Sequence, residues 1–219
     1  YHMELVKLGY SIASQQIAIL AYREHDIEYF ACWRQHPAAY ALFEKYDLHT
    51  QIWERLISPN AATQQENVEL AGTQLLPLVE QTKSMGSKLG LYNHGGWGGE
   101  PENMIAVIRW LKSKTDADHV GIVYNFHHAH EHLENFSELF SSMLPYLLCL
   151  NLNGMNSSGD PKILDIGKGE HDKALLEIVV ASGYDGPIGI LGHRAEEDVE
   201  SILQSNLSGL QTLLLENPH

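Results

Sequence analysis

The chain has 219 residues, of which 44% are hydrophobic and 19% are charged. This composition is enough for one sizeable hydrophobic core, and we expect a single domain over residues 1–219. The formal net charge of -14 differs from the basic character of proteins that bind nucleic acids, so no nucleic acid is expected as a partner.

No stretch approaches the roughly 20 apolar residues that cross a bilayer, so we expect no membrane partner. No secretion signal opens the sequence. Cys32 and Cys149 both lie inside apolar runs, which is typical of buried reduced thiols. We therefore expect a cytoplasmic protein.

Short runs rich in apolar, β-branched and aromatic residues recur along the chain. Their length suits strands better than helices, because each run is only seven to nine residues long. The predicted strands cover residues 25–33, 48–55, 88–94, 119–127, 146–154 and 186–193.

Helical patterns separate these runs. Residues 62–85 carry apolar side chains on one face, although Pro77 predicts a kink or a break. Pro101 is typical of a first helical turn and predicts a helix over 101–113. Residues 5–20 could hold a helix and a degenerate strand. Further helices are predicted over residues 130–143, 171–182 and 199–214.

The alternation of strands and helices predicts an α/β fold with a parallel sheet. Either an open doubly wound sheet or a (β/α) TIM-type barrel fits this alternation. The endings "NH", "NFHH", "NLNG" and "LGH" favour the barrel, because barrel active sites collect at the carboxyl ends of many strands. A barrel has eight strands. Six runs therefore predict a barrel that is incomplete or irregular at its N-terminal end, or a sequence that lacks the first β/α unit.

Four segments resemble the xylose isomerase-like barrel superfamily: "KLGLYNHGG", "HVGIVYNFHHAHEH", "YLLCLNLNGM" and "GKGEHDKALLEIVVASGYDGPIGILGH". That superfamily includes sugar-phosphate isomerases and epimerases and the endonuclease IV type of DNA-repair enzyme. The resemblance covers roughly residues 86–210 and is most specific in "IGKGEHD" and "SGYDGPIGI". It implies a TIM barrel that acts on a small sugar-like molecule.

The resemblance also implies a divalent metal, held by a Glu, an Asp-x-x-His pair, a His and a second Glu. This sequence keeps His128, but Asn125 replaces the paired Asp. The other three ligand positions fall on Tyr92, Asn151 and Leu191. Because hard divalent cations prefer carboxylates, an unchanged metal site of this kind is not expected.

A different metal site is predicted by strand geometry, since side chains two residues apart in a strand point the same way. Polar residues stand two positions after altered or retained ligand positions, and several of them are histidines, which suit Zn and other imidazole-preferring metals. We therefore predict a divalent metal (Zn, Mn, Co or Ni) and no organic cofactor. The predicted ligands are His94, His128, His130 and His193.

Other residues near the predicted strand ends are candidates for chemistry or binding. Glu100 could transfer a proton or cap the helix that Pro101 begins, and Trp97 could stack on a sugar ring. The predicted catalytic residues are His128, His94, Glu100 and Lys168. The predicted substrate-binding residues are Asn93, Trp97, Asn125, Asn151 and Asn153.

The first functional hypothesis is an isomerase-like or epimerase-like enzyme on a sugar or sugar derivative. The missing carboxylate base also allows a lyase or hydrolase variant. The alternative is a non-catalytic carbohydrate-binding or metabolite-binding barrel that has lost its metal. A DNA-repair phosphodiesterase has the least support, because several carboxylates and a cationic groove are not visible in the sequence. Barrels of this kind often pair, so we expect a homo-oligomer.

Overall fold

The computed structural model describes residues 12–215 except residues 35, 193 and 195, and for residues 12–15 it describes the backbone alone. All six predicted strands are present, and each lies within its predicted run. They are β1 (Ala31–Trp33), β2 (Gln51–Glu54), β3 (Leu89–Tyr92), β4 (Val120–Asn125), β5 (Leu147–Leu152) and β6 (Ile188–Ile190).

The strands follow one another in the sheet in chain order. The pairs β1–β2, β2–β3, β4–β5 and β5–β6 are parallel. A parallel pair needs a crossover between its strands, and helices supply these crossovers here. The predicted α/β class with a parallel sheet is therefore confirmed.

Seven α-helices lie in the described part of the chain. They are α1 (Ile12–Glu24), α2 (Pro37–Tyr46), α3 (Gln64–Ser84), α4 (Pro101–Lys114), α5 (Phe136–Met143), α6 (Asp172–Ala181) and α7 (Val199–Leu215). The predictions for α4, α6 and α7 are confirmed. Helix α2 was not predicted.

The start of α3 is fixed by a capping box. The Thr63 hydroxyl accepts a hydrogen bond from the Glu66 N–H at 3.2 Å, and the Glu66 carboxylate accepts one from the Thr63 N–H at 3.0 Å. These bonds satisfy two donors that a helix start leaves without partners. The helix then continues through Pro77, so the predicted break does not occur.

The predicted helix over residues 130–143 is wrong in its first half. Two 3-10 turns, Phe126–His128 and His130–His132, occupy this region, and α5 begins only at Phe136. The backbone leaves helical geometry at Ala129 (ψ 11°) and again at Asn135 (ψ 13°), which prevents one continuous helix.

Two compact units make up the chain, and their sequence ranges interleave. One comprises the described residues up to 92 together with 106–121, and the other comprises 93–105 together with the described residues from 122 onward. In the first unit, Cys32, Tyr40, Phe43 and Ile52 belong to one buried apolar cluster. The prediction of a single domain stays a prediction.

Cys32 and Cys149 are buried free thiols, as predicted. Burial raises the pKa of Cys32 to about 11 and the pKa of Cys149 to about 12. Both thiols therefore stay protonated near neutral pH and have little nucleophilic character.

Within residues 12–215, apart from the three undescribed positions, no helix combines the length and the apolar character needed to cross a membrane.

Candidate functional site

Asn93, the first residue after β3, forms two side-chain hydrogen bonds with the Asn125 backbone at the end of β4, and we call this pair of bonds the Asn93 bracket. Its side-chain Nδ2 donates to the Asn125 carbonyl at 3.0 Å, and its Oδ1 accepts from the Asn125 N–H at 2.8 Å. Its own N–H donates to the Val123 carbonyl at 3.4 Å. The buried amide therefore fixes the backbone at the end of β4 as a neighbouring strand would. Its predicted contact with substrate stays a prediction.

The loop after Asn93 carries His94 and folds back sharply. Gly95 and Gly96 have φ values of 78° and 63°, a backbone region that favours glycine. A Cβ on Gly99 would lie 3.1 Å from the His94 nitrogen, so the loop returns close to the His94 backbone. His94 itself is exposed, and Trp97 is half-buried in the turn Trp97–Gly99.

The two principal predicted histidines come together. The ring centroids of His94 and His128 lie 4.5 Å apart, and those of His127 and His128 lie 3.6 Å apart. Strand alternation does not extend to His94 or His130, because β3 ends at Tyr92 and β4 ends at Asn125. The proximity of His94 and His128 arises instead from the turns that follow these strands.

Burial and neighbouring charges keep His128 neutral. Burial lowers its pKa most, and the charges of His94, Lys162 and His130 lower it further, to about 4. A neutral imidazole has a lone pair available at neutral pH, either to accept a proton or to bind a metal.

The imidazole of His130 is affected in the same direction. Its pKa is lowered by burial and by the charge of Lys162, although a backbone hydrogen bond at His127 opposes the shift. The Nε2 atom of His130 is buried and has no hydrogen-bond partner. A Cβ built on Gly159, in the loop that follows β5, would lie 3.3 Å from the His130 ring.

Glu100 lies at the start of α4 and faces a histidine. Its Oε2 lies 3.3 Å from the Nε2 of His132, and its backbone carbonyl accepts from the Met104 N–H at 3.0 Å. The hydroxyl of Tyr124 is buried without a partner, and burial together with the charge of Glu100 raises the pKa of that phenol. The role of Glu100 in proton transfer stays a prediction.

Buried amides lie at the carboxyl ends of β4 and β5. Asn125 and Asn151 are opposite each other in the sheet, and Asn151 accepts a hydrogen bond from the Cys149 thiol at 3.7 Å. Asn153 donates from Nδ2 to the Gly154 carbonyl at 2.8 Å. The Oδ1 atoms of Asn125 and Asn153 are buried without partners. The structure thus pairs two predicted binding residues, Asn125 and Asn151, across the sheet, and the contact of all three amides with substrate stays a prediction.

Lys168 is an ion-pair partner of a buried carboxylate. Its Nζ donates to Asp165 at 2.6 Å, and Asp165 also accepts from Ser205 at 2.6 Å, from Asn206 at 3.2 Å and from Arg194. Burial raises the pKa of Asp165, but the hydrogen bonds from Lys168 and Ser205 and the charge of Arg194 outweigh it and lower the pKa. These contacts give Lys168 a structural role, and its catalytic role stays a prediction.

Asp172, which was not among the predicted site residues, holds the long loop between β5 and α6. Its buried carboxylate accepts hydrogen bonds from the backbone N–H groups of Met155 at 2.7 Å, Gly167 at 2.6 Å and Gly169 at 2.9 Å. The spacing Gly-x-Gly-x-x-Asp could have suggested it, because glycines let backbone donors approach a carboxylate closely. No comparable sequence pattern points to Lys162, which lies in the same loop.

Comparisons with known proteins address the fold. No protein-family model matches the chain, and no curated protein matches it. A solved D-tagatose 3-epimerase-like protein shares 16% identity at a TM-score of 0.67, covering 93% of this chain and 82% of that one. A probable 3-DHS dehydratase from Bacillus anthracis shares 11% identity at a TM-score of 0.69, covering 95% of this chain and 84% of that one.

The description of a third solved structure names the fold. It is a xylose isomerase-like TIM barrel/4-hydroxyphenylpyruvate dioxygenase fusion protein, with 17% identity and a TM-score of 0.55, covering 80% of this chain and 29% of that one. The chain has the xylose isomerase-like TIM-barrel fold. With six strands in the described residues against eight in a complete barrel, it is an incomplete example of this fold.

The described side chains do not fit a metal of the kind that this barrel fold implies. No group of three or more His, Cys, Asp or Glu side chains is arranged to hold an ion among residues 12–215, leaving aside the undescribed positions. His193, one of the four predicted ligands, lies outside the described residues. His94 and His128 provide two imidazoles, while Tyr92 and Asn125 occupy positions where carboxylates are implied. The metal site stays a prediction.

Proposed function

We propose that this chain catalyses an isomerase-like or epimerase-like reaction on a sugar or sugar derivative, where β3 and β4 end. The observation that carries the proposal is the pair of imidazoles, His94 and His128, of which His128 is neutral at neutral pH. The names of two structural neighbours, an epimerase-like protein and a probable dehydratase, support the same class of substrate.

The chemistry requires a group that removes a proton from a carbon next to a carbonyl and a group that returns a proton. His128 is suited to accept the proton, because its neutral imidazole does not have to lose one first. His94 is exposed beside it and can exchange protons with water. The Asn93 bracket holds the two turns, since it joins the residue before His94 to the residue three positions before His128.

Two alternatives use the same site. A lyase would begin with the same proton removal and then lose a hydroxyl group, and a hydrolase would use the base to activate water. A non-catalytic carbohydrate-binding barrel is favoured by one observation, namely the amides and Tyr92 at positions where the resemblance implies carboxylates and a histidine. No step of the proposal passes through a metal. The homo-oligomer and the cytoplasmic location stay predictions.

Proton exchange with solvent tests the proposal directly. The full chain is incubated in D2O with a panel of ketoses, sugar acids and sugar phosphates, and deuterium incorporation and new epimers are measured by mass spectrometry and chromatography. We expect exchange that His128→Gln lowers about 100-fold or more, the lower end of what a general base contributes. His94→Gln should lower it as well.

The control is His25→Gln, because His25 is an exposed histidine in the other compact unit. This variant should retain full exchange. Product that has lost water would identify a lyase, and sugar binding without exchange in wild type would identify a binding protein. Full exchange in the His128→Gln variant would refute the assigned role of the imidazole pair.

A further inference from the structure

Helix α7 carries two rows of residues with the same spacing on adjacent faces. We name the first row the inner seam, which consists of Ile202, Asn206, Gly209 and Leu213. The second row is the outer seam, which consists of Leu203, Leu207, Leu210 and Leu214. In both seams the residues follow at intervals of four, three and four, the spacing of core positions in a coiled coil. The outer seam is the inner seam shifted by one residue, so it lies about 100° further round the helix.

The inner seam packs against the compact unit to which α7 belongs. Ile202 and Leu213 are buried, and Asn206 is completely buried. The Asn206 side chain accepts a hydrogen bond from the Ile166 N–H at 2.9 Å, and a Cβ built on Gly209 would lie 1.7 Å from the Ile166 carbonyl oxygen. These contacts fix the rotation of α7 about its axis, so the outer seam cannot turn toward the core.

The outer seam faces solvent. Leu207 in its middle is 43% exposed, Leu203 and Leu214 are each 46% exposed, and Leu210 is half-buried. Val199 and Leu215, at the two ends of the helix, are exposed as well. Apolar exposure in the described residues is therefore concentrated on this helix, and a contiguous apolar surface of this kind is typical of an interaction site.

The charge of this surface indicates which partner it fits. Residues 201–215 include no Asp, Glu, Lys or Arg, although the chain as a whole has a formal net charge of -14. Two copies of so acidic a chain repel each other across most of their surfaces, but not across this one. A basic partner would gain no attraction from an uncharged face. The outer seam therefore fits a second copy of the chain, whose α7 presents the same uncharged row of leucines.

The outer seam is also complementary to itself, because the intervals four, three and four read the same in both directions. Two α7 helices that pair antiparallel about a two-fold axis place Leu203 against Leu214 of the second copy, and Leu207 against its Leu210. Antiparallel pairing also separates the two acidic segments 196–200 by the length of the helix, about 25 Å for 17 residues. Parallel pairing would bring these like charges side by side.

We propose that the outer seam of α7 is the interface of a homodimer, in which α7 of one copy packs antiparallel against α7 of the other. The proposal concerns assembly and is independent of the proposed function. A single pair of helices forms a small interface, so the dimer is expected to dissociate on dilution, with a Kd in the micromolar range.

Sedimentation velocity of the full chain, from about 1 to about 500 μM, tests the interface. We expect dimers that form as the concentration rises. Leu207→Glu should raise the Kd about 30-fold or more, the effect of a central interface residue, because each copy would bring a charge close to the two-fold axis. The matched control is Ser208→Glu, which adds the same charge at the next residue, on an exposed face that neither seam uses, and should dimerise like wild type. Circular dichroism confirms that each variant is folded.

Two mixing experiments test the geometry of the pair. Leu207→Glu mixed with Leu207→Lys should recover the dimer, since the two charges are then opposite. Leu203→Cys mixed with Leu214→Cys should form a disulfide-linked dimer under mild oxidation. Leu203→Cys alone should not, because antiparallel pairing separates its two copies by about 16 Å, beyond the reach of a disulfide.

Three results would overturn the proposal. The first is a wild-type chain that stays monomeric over the whole concentration range, and the second is an equal Kd for wild type and Leu207→Glu. The third is a Leu203→Cys variant that cross-links to itself as readily as it does in the mixture with Leu214→Cys, since this would show parallel pairing.

Discussion

The Asp172 carboxylate is predicted to be a principal support of the loop that carries Lys162. Asp172→Ala removes the acceptor of three hydrogen bonds, which the N–H groups of Met155, Gly167 and Gly169 donate. A hydrogen bond to a charged group contributes about 1.5–3 kcal/mol. Simple addition would overestimate the loss, because Gly167 is exposed and Gly169 is half-buried, so their N–H groups regain water in the variant.

Met155 is different, because it is 1% exposed and its N–H would remain buried without a partner. We assign a loss of about 2 kcal/mol to the Met155 N–H and a loss of about 1 kcal/mol to the N–H groups of the two glycines together. Asp172→Ala should therefore lower the free energy of unfolding by about 3 kcal/mol. Asp172→Asn should lose slightly less, since it keeps one acceptor oxygen but turns an NH2 group toward backbone donors.

Urea unfolding followed by circular dichroism measures both losses, with an unchanged dependence on urea concentration as the sign that only stability has changed. The control is Asp198→Ala, which removes one exposed hydrogen bond from the Ser201 N–H at 2.9 Å and should destabilise the fold less than Asp172→Ala. If Asp172→Ala proves no more destabilising than Asp198→Ala, the loop does not depend on the carboxylate and the reasoning fails.

Three further predictions concern other contacts. Ser205→Ala removes a 2.6 Å donor to Asp165, whose pKa is lowered in the folded state. A lowered carboxyl pKa stabilises the fold above the unfolded value of about 3.9, and this stability is lost as the pH falls through the folded value. The variant should thus unfold about 1 kcal/mol more easily at neutral pH, and the difference should shrink in acid; a pH-independent difference would contradict this. Gly189→Ala places a Cβ against the Asn151 side chain and should cost about 1–2 kcal/mol in urea unfolding, but much less when combined with Asn151→Ala; an equal cost in both backgrounds would exclude the overlap. Elemental analysis of protein purified without added metal tests the predicted metal site: near-stoichiometric Zn, Mn, Co or Ni that His128→Ala removes would support it, and no bound metal with no affinity for added ions would refute it.

The sequence predicted the strands well because each buried strand of a parallel sheet is a short, nearly continuous apolar run. It predicted α4 because Pro101 is a strong local signal. The helix α2 was missed, although Pro37 occupies its first turn and the His36 side chain accepts a hydrogen bond from the Ala39 N–H at 3.3 Å. A histidine is not a common helix cap, so the sequence around His36 did not predict this helix.

The site was predicted less accurately than the fold, because its residues lie just beyond the strands. Strand alternation carries no information once the chain enters the 3-10 turn at Phe126–His128, so the direction of His130 could not be derived from it. The meeting of His94 with His128 depends on the Asn93 bracket, a contact between residues 32 positions apart. Lys162 depends on a loop closed by tertiary hydrogen bonds, and no local pattern encodes such a loop.

Among the described residues, the first and last strands of the sheet are also its shortest. β1 and β6 have three residues each, whereas the inner strands have four to six. An open sheet edge offers unpaired backbone groups to any other chain, and a short edge strand limits the length over which such pairing can spread. Ile188 of β6 is 44% exposed, so this edge already presents an apolar side chain. Substitutions that lengthen β6 are therefore expected to favour aggregation before they favour stability.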